Sequence, residues 1–296
     1  MANETKCNFC PRKCNVNRNE KQGFCQSPNE FRLARASLHF WEEPCISGKE
    51  GSGAVFFSGC NLKCVFCQNY EISVENKGIT VSPEKLLDIF KSLEQQGANN
   101  INLVNPSHYA AHLIPVLEKW NSSLPVVYNS SGYEDVKTLK MLNGLVDIYL
   151  PDFKYIRSDK ARRYSRAENY PEIAKAVLNE MRRQQKADVF DERGIMQKGM
   201  IIRHLILPSN TNSSLEIIDY LCDNFSDTYL SLMAQYVPCT SLEAFPEINR
   251  KITKREYNKV VNYALDKGFS KLFIQELTSA DENYIPDFDF SGIIRY

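Results

Sequence analysis

From residue 54 onward, short apolar runs alternate with amphipathic helical patterns, and this alternation most constrains the fold. The candidate strands span residues 54–58, 101–104, 126–128, 147–150, 200–207 and 229–233. Helical patterns lie at residues 109–120, 134–142, 170–184 and 215–224. Repeated strand–helix units joined by short connections predict an α/β fold with a parallel sheet covered by helices.

Residues 82–97 carry the clearest helical signal. Ser82 is a favoured N-cap, Pro83 suits the first helical position, and apolar residues recur at helical spacing until Gly97. This segment is therefore predicted to be a crossover helix between the first two strands. A further helix at residues 254–267, a strand at 271–275 and a tail at 281–296 complete the chain.

Three cysteines, Cys60, Cys64 and Cys67, follow the first candidate strand with C-x3-C-x2-C spacing. Three thiolates on one loop, with no fourth Cys or His close by in sequence, leave one coordination position open. An open position is typical of catalytic metal sites and not of closed structural zinc sites. We therefore predict a reactive iron–sulfur centre. The alternatives are buried packing residues or half of a zinc site.

A second group of four cysteines lies near the N-terminus, in a stretch with little hydrophobic periodicity. Such a stretch cannot order itself by apolar burial, and a closed tetrathiolate site would supply the missing stabilisation. Four thiolates suit zinc and an iron–sulfur cluster alike, so the sequence leaves the metal open. The predicted ligands of this second metal centre are Cys7, Cys10, Cys14 and Cys25.

Composition excludes several classes of protein. The chain has 296 residues, 43% of them hydrophobic, enough for a large core and for either one α/β barrel or two domains. Lys plus Arg equals Asp plus Glu at 36 each, so neither nucleic acid nor an anionic membrane is expected as a partner. The first residues lack an apolar signal core, and no run reaches the roughly 18 apolar residues of a membrane span. We expect a soluble, cytoplasmic protein.

The three cysteines Cys60, Cys64 and Cys67, called the trio below, and three flanking motifs resemble the radical S-adenosylmethionine (SAM) superfamily. The resemblance is to uncharacterised relatives of the pyruvate formate-lyase activating enzyme in particular. The motifs are GSGAVFFSG before the trio, NPSHY at residues 105–109 and DFK at 152–154. The resemblance implies a partial (β/α)6 barrel. We predict that it spans residues 51–296 and that a cysteine-rich metal-binding extension at 1–50 precedes it. The resemblance also implies that Cys60, Cys64 and Cys67 hold a four-iron, four-sulfur (4Fe–4S) cluster. Reductive cleavage of SAM there would yield a 5′-deoxyadenosyl radical.

The resemblance also suggests which side chains bind SAM. Activating enzymes of this type have a Gly-Gly-Glu motif after the second strand, whereas this chain has Asn105-Pro106-Ser107-His108. We expect oxygen atoms of Asn105 or Ser107 to replace that contact. Asn129 and Ser130 follow the third strand and are candidates for bonding the ribose or the carboxylate, or else for an ordinary turn.

The remaining candidates lie in the trio and at the fourth and fifth strands. Asp152 and Lys154 match the Asp-x-Lys element of the family and suit the ribose or ammonium group and the carboxylate of SAM. Phe66 either shields the cluster and touches adenine or simply packs. Arg203 and His204 must face opposite sides of their strand. By analogy His204 is expected to point inward; the alternative is a histidine satisfied by neighbouring backbone.

Three functions fit these observations. The first is a glycyl-radical activating enzyme, which abstracts a hydrogen atom from a partner protein. The second is radical modification of a peptide or a small molecule. The third is a binding protein that is stabilised by metal and has no turnover. For the two enzymatic functions the resemblance implies a flavodoxin- or ferredoxin-like reductant.

Overall fold

The computed structural model describes residues 6–238, 242–277 and 286–294. Its strands are β1 (Phe31–His39), β2 (Ser52–Phe57), β3 (Ile79–Val81), β4 (Ile101–Val104), β5 (Val126–Ser130), β6 (Ile148–Pro151), β7 (Val189–Phe190), β8 (Met196–Leu205), β9 (Tyr229–Met233) and β10 (Leu272–Ile274). Its α-helices are α1 (Pro44–Ser47), α2 (Tyr70–Ser73), α3 (Pro83–Gln95), α4 (Ala110–Leu117), α5 (Val136–Met141), α6 (Ser158–Ser165), α7 (Tyr170–Gln184), α8 (Thr211–Phe225) and α9 (Lys254–Asp266). Short 3-10 turns lie at Ser107–Tyr109 and Pro246–Ile248.

The centre of the fold is a set of parallel strands that lie side by side in chain order. The order is β2, β4, β5, β6, β8, β9 and β10, and each neighbouring pair is parallel. Each connection between them passes through at least one helix. Sequential parallel neighbours are the arrangement of a barrel, here left open between its two edges. The α/β fold with a largely parallel sheet is therefore confirmed.

An antiparallel extension widens the sheet beside β2. Strand β1 pairs with β2, with Ala36 opposite Val55, and β3 pairs with β1, with Arg32 opposite Thr80. Strand β1 thus places the segment that precedes β2 beside the first barrel strand. Strands β3 and β7 were not foreseen, because three and two residues are too few to show an alternating pattern.

The predicted elements agree with the observed ones to within a few residues. Strands β4 and β9 have the predicted bounds, and β8 begins four residues earlier than predicted. Helix α3 begins as expected: the Ser82 hydroxyl accepts a hydrogen bond from the Lys85 N–H at 3.2 Å, and Pro83 is the first helical residue. Its apolar stripe is buried, and each such side chain contributes about 1.5–3 kcal/mol to folding.

Residues 6–30 contain no helix or strand and pack on the loops that follow the barrel strands. The Cys7 N–H bonds to the Val16 carbonyl at 2.7 Å, which closes the segment on itself. The Arg12 guanidinium donates to the Asn61 carbonyl at 2.7 Å and lies 3.8 Å from the centre of the Phe24 ring. The division at residue 50 stays a prediction, although β1 and α1, which precede that boundary, belong to the main body.

The C-terminal segment 286–294 lies along β1 on the side opposite β2, next to the residues of β1 that pair with β3. The Phe290 N–H bonds to the Ala34 carbonyl at 3.0 Å, and the Ala36 N–H bonds to the Ser291 carbonyl at 2.9 Å. Phe288 is buried against Phe56, with ring centres 5.7 Å apart. Part of the predicted tail, residues 281–285 and 295–296, lies outside the described residues. Among the helices that are described, none has the length and apolar composition to cross a membrane.

Tyr170, the first residue of α7, ties the ends of β5 and β6 together. Its buried hydroxyl accepts the Lys154 N–H at 2.9 Å and lies 2.9 Å from the Ser131 carbonyl oxygen and 2.8 Å from that of Asp152. Three backbone groups at the carboxyl ends of neighbouring strands therefore depend on one side chain.

We predict that Tyr170→Phe lowers the free energy of unfolding by about 2–4 kcal/mol, because buried backbone groups lose their partner at about 1–3 kcal/mol each. Urea unfolding of the anaerobic protein measures the change. Tyr263→Phe is the matched control, since its half-buried hydroxyl bonds to the side chain of Asp219 near the surface. Equal losses in the two variants would contradict the assigned role of Tyr170.

Candidate active site

A cavity of about 210 Å³ opens at the carboxyl ends of the parallel strands. Cys64 and Cys67, on the loop after β2, form part of its wall. Asn129 at the end of β5, Lys154 after β6 and Arg203 near the end of β8 complete its polar side. Parallel α/β folds collect their functional groups at this edge. The cavity is therefore the candidate active site.

The trio of cysteines lies on the loop that leads out of β2. Cys60 and Cys64 are buried and Cys67 is half-buried. The Ser165 hydroxyl donates to the Cys64 sulfur at 2.9 Å, and the Ser73 hydroxyl donates to the Cys67 sulfur at 3.2 Å. Burial raises the pKa of the Cys67 thiol to about 12. A bound metal is therefore what converts this thiol into an anionic ligand at neutral pH.

A buried network of charges forms the side of the cavity next to the trio. The Lys154 ammonium lies 2.5 Å from one Asp152 oxygen, and the Arg203 guanidinium lies 3.0 Å from the other. A second nitrogen of Arg203 lies 3.1 Å from a Glu42 oxygen. All four side chains are nearly buried, with 11–16% of each exposed. The network therefore joins β1–α1, β6 and β8.

The charges in this network are maintained by one another. Burial acts to raise the pKa of Asp152, but the Lys154 and Arg203 cations outweigh burial and lower it. Burial acts to lower the pKa of Lys154, but the Asp152 carboxylate raises it. Burial likewise opposes the charge on Arg203, and the carboxylates of Asp152, Glu42 and Glu43 hold its pKa above the ordinary value. An anion and two cations therefore persist at neutral pH beside the trio.

Glu42 is a part of this site that sequence reasoning missed. It accepts hydrogen bonds from the Asn102 and Asn129 amides, each at 3.0 Å, in addition to the ion pair with Arg203. His39 also lines the cavity. The segment that contains both carries no recognisable motif. The available signal was a pair of adjacent carboxylates, Glu42 and Glu43, placed beside the first barrel strand.

Ser107 and Ser130 lie outside the cavity, so the expectation that they line the SAM site is corrected. The Ser107 hydroxyl donates to a Glu134 oxygen, and Ser130 also bonds to Glu134. Burial raises the pKa of Glu134 to about 7 against the effect of these bonds. Tyr128 completes the group by donating to the same carboxyl group at 3.1 Å. Strand alternation turns Ser130 away from the side that Asn129 faces.

Asn105 lies beside the trio and not in the wall of the cavity. Its amide donates to the Gly59 carbonyl at 2.7 Å, and its side-chain oxygen lies 3.6 Å from the Cys60 sulfur. It has a left-handed backbone conformation, with φ of 58°, which Asn tolerates better than most residues. Asn105 therefore holds the cysteine loop in place.

His204 points away from the cavity, and the expectation that it is the inward residue of its pair is wrong. Its Nδ1 lies 2.9 Å from the Phe153 carbonyl oxygen and its Nε2 lies 2.9 Å from the Ser214 hydroxyl of α8. Burial lowers its pKa to about 4, so it is a neutral structural residue. Arg203 occupies the inward position, because its charge finds Asp152 and Glu42 there.

Phe66, between the last two cysteines of the trio, lines the cavity as expected of a residue near the cofactor. It also packs against neighbouring rings, with centres 6.0 Å from Tyr236 and 6.4 Å from Tyr164. The position of Phe66 is therefore compatible with both expectations, shielding of the cluster and ordinary packing.

The four N-terminal cysteines are brought together in a separate place. Cys10 interacts electrostatically with Cys7, Cys14 and Cys25. Within the described residues, no three or more His, Cys, Asp or Glu side chains are arranged around a single metal ion. In an iron–sulfur cluster each thiolate binds a different iron atom, so a cluster does not require that arrangement.

Comparison with known proteins places the chain in a family. Residues 54–278 match the sequence model of the Radical SAM superfamily, and the chain belongs to that superfamily. It is 32% identical over 268 residues to the uncharacterised protein MJ0674 of Methanocaldococcus jannaschii, which covers 87% of this chain and 74% of the relative.

Two solved structures match part of this chain. SuiB of Streptococcus suis, in complex with the precursor peptide SuiA, has a TM-score of 0.52 at 13% identity and covers 75% of this chain. This chain spans about half, 48%, of SuiB. The hydrogenase maturase HydG of Carboxydothermus hydrogenoformans has a TM-score of 0.47 at 17% identity, covering 78% of this chain and 56% of HydG.

Membership of the superfamily implies a 4Fe–4S cluster and SAM, and the residues of the cavity fit both. Three thiols on one loop match a cluster with one iron left free. Cys64 and Lys154 interact electrostatically, so a lysine suited to a carboxylate lies next to the thiols. Asp152 presents a carboxylate, which can accept hydrogen bonds from ammonium or ribose hydroxyl groups.

We predict that Asp152→Asn raises the dissociation constant of SAM by about tenfold to a hundredfold, since a charge-assisted hydrogen bond contributes about 1.5–3 kcal/mol. Isothermal titration of the cluster-loaded protein with SAM measures this constant. Glu216→Gln is the control, because Glu216 forms a surface ion pair with Arg157, remote from the cavity. Unchanged affinity in Asp152→Asn would remove this residue from the SAM site.

Proposed function

We propose that this protein reductively cleaves SAM at a cluster held by Cys60, Cys64 and Cys67 and uses the product to abstract a hydrogen atom from its substrate. When bound, the cluster and SAM supply one-electron cleavage of a carbon–sulfur bond and a strong hydrogen-atom acceptor. The observation that carries the proposal is that two of these thiols share one cavity wall with Asp152 and Lys154.

The chain's own side chains orient SAM and exclude water. Lys154 offers an ammonium group to the SAM carboxylate, and Asp152 offers oxygen atoms to its ammonium or ribose groups. Arg203 and Glu42 fix Asp152 from behind, so the carboxylate does not need to reorganise when SAM binds. Phe66 and Leu205 line the cavity and give it an apolar portion, which suits the adenine ring.

We propose further that the hydrogen donor is a segment of polypeptide, as in the activating enzymes. The cavity encloses about 210 Å³, less than the roughly 300–1,000 Å³ typical of pockets for one small ligand, so SAM would fill it and leave no enclosed space for a second small molecule. The donor then has to reach in from the rim. Trp41 at the rim is 57% exposed, and the amides of Gln68, Asn69 and Gln235 lie along the wall, where they can bond to peptide groups.

The central prediction is that anaerobically reconstituted protein releases 5′-deoxyadenosine when it is given dithionite and SAM. Cys64→Ser should abolish the release, because a cluster with only two protein thiolates is not retained. Cys222→Ser is the matched control, since Cys222 lies on α8, away from the cavity. Chromatography of the quenched reaction measures the product. Wild-type release no greater than that of Cys64→Ser would refute the proposed function.

The class of substrate is testable by isotope transfer. An extract of cells grown on α-deuterated glycine is divided by dialysis into polypeptides and small molecules, and each fraction is added to the reaction. We expect deuterium in 5′-deoxyadenosine with the polypeptide fraction. Transfer with the small-molecule fraction alone would instead establish modification of a small molecule. A glycine-centred radical signal in the polypeptide fraction, seen by electron paramagnetic resonance, would define the glycyl-radical activity.

A further inference from the structure

The N-terminal cysteines meet in a segment that lacks a core of its own. Residues 6–30 contain no helix or strand, yet Cys10 interacts electrostatically with the other three thiols, those of Cys7, Cys14 and Cys25. Three of the four are buried, and Cys14 is half-buried. A segment with this composition is ordered by what its thiols bind.

A buried cation indicates the charge of this thiol centre. Arg18 is 6% exposed, and its Nε donates to the Cys7 sulfur at 3.2 Å while its Nη2 donates to the His108 carbonyl at 2.7 Å. Its Nη1 is buried and has no hydrogen-bond partner among the described residues. A guanidinium stays charged, and a buried charge is costly without an opposite charge. Metal-bound thiolates at Cys7 and its neighbours would supply that charge.

The thiol centre lies against the loop that carries the trio. A Cβ atom on Gly59, which precedes Cys60, would lie 2.7 Å from the Cys25 carbonyl oxygen, so the two backbones are in contact. Lys63 interacts electrostatically with both Cys25 and Cys60. None of the described residues in 6–30 lines the cavity. The two thiol groups therefore adjoin on a side that SAM and substrate do not use.

The surface around the thiol centre is basic, although the whole chain is neutral. Apart from the buried Arg18, residues 6–30 present four basic side chains, the exposed Lys6, Lys13 and Lys21 and the half-buried Arg12, against two exposed acidic ones, Glu20 and Glu30. Opposite charge accelerates the encounter of two proteins and orients them. An acidic protein partner fits this face.

We propose that Cys7, Cys10, Cys14 and Cys25 hold a second 4Fe–4S cluster, and that this cluster receives the electron used at the trio. The inference rests on the proposed function, because only a reductive reaction needs an electron there. Zinc would also satisfy four thiolates, but it carries no electron. An electron relay requires two clusters that lie close together, and the contact between the two cysteine loops meets this requirement.

The transfer balances one electron at each step. A low-potential one-electron donor protein of the flavodoxin or ferredoxin class docks on the basic face and is oxidised by one electron. The N-terminal cluster is reduced by that electron and then reoxidised as the electron passes to the cluster at the trio. No bond forms or breaks in either transfer.

The decisive measurement is the metal content of the protein with and without the trio, because the variant without it reports only on the four N-terminal cysteines. We expect anaerobic wild-type protein to contain about eight iron atoms per chain, and the triple variant Cys60→Ser, Cys64→Ser, Cys67→Ser to keep about four with the Mössbauer spectrum of a 4Fe–4S cluster. Zinc in this triple variant, or loss of all its iron, would overturn the proposal. Because iron is counted without turnover, this result is independent of whether SAM is cleaved.

The relay is tested with two reductants. In Cys10→Ser, dithionite should still produce the paramagnetic signal of a reduced cluster at the trio, whereas reduced flavodoxin should no longer produce it. Cys222→Ser is the control for replacing a thiol. Reduction of Cys10→Ser by flavodoxin at the wild-type rate would overturn the relay. Failure of wild-type protein to release 5′-deoxyadenosine with dithionite would refute the proposed function while leaving the iron count intact.

Discussion

The buried guanidinium of Arg203 is the interaction on which the candidate site depends. It bonds to Asp152, Glu42 and Asn129 through three separate nitrogen atoms. These partners come from three different places in the chain, and none is within 50 residues of Arg203. A buried charge without partners would destabilise the fold by several kcal/mol. The requirement to satisfy Arg203 therefore fixes the relative position of three strand ends and of the β1–α1 segment.

The same network gives Lys154 its place. Asp152 uses one carboxylate oxygen for Arg203 and the other for Lys154, so the lysine is held at the edge of the network that is nearest to the trio. Tyr170 supports the arrangement from the helix side by bonding to the backbone of Asp152 and Lys154. The charged groups are thus oriented before any ligand arrives, which lowers the reorganisation needed on binding.

The sequence predicted those parts of the fold and site that depend on local pattern. The crossover helix α3 has its cap, its proline and its apolar stripe within one short stretch, and the trio and the Asp-x-Lys element are likewise contiguous. Glu42 could not be found in this way, because its function arises from contacts with Asn102, Asn129 and Arg203, all distant in sequence. The adjacent carboxylates Glu42 and Glu43 were a local signal, but they do not show which distant residues Glu42 contacts.

Sequence reasoning also could not determine which side of the sheet a given side chain faces. Alternation along β8 required Arg203 and His204 to face opposite sides, but it did not say which faced inward. The choice followed from charge: the inward side offers carboxylates, whereas the helix side offers a backbone carbonyl and the Ser214 hydroxyl, which a neutral imidazole can satisfy. Ser107 and Ser130 were misassigned for a related reason. Glu134, a buried carboxyl group that needs donors, engages both of them.

The cavity and the four N-terminal cysteines lie on different sides of the loop that carries the trio. The electron and the substrate of a radical enzyme can therefore arrive by different routes. Cys64 and Cys67 face the cavity, whose rim of Trp41, Gln68 and Gln235 is open to substrate. Cys60, at the other end of the same loop, adjoins Gly59, which touches the N-terminal segment. An electron that arrives through that segment does not cross the space occupied by SAM and substrate. Under the two proposals, the donor protein and the polypeptide substrate occupy different faces of the protein, so the binding of one does not block the other.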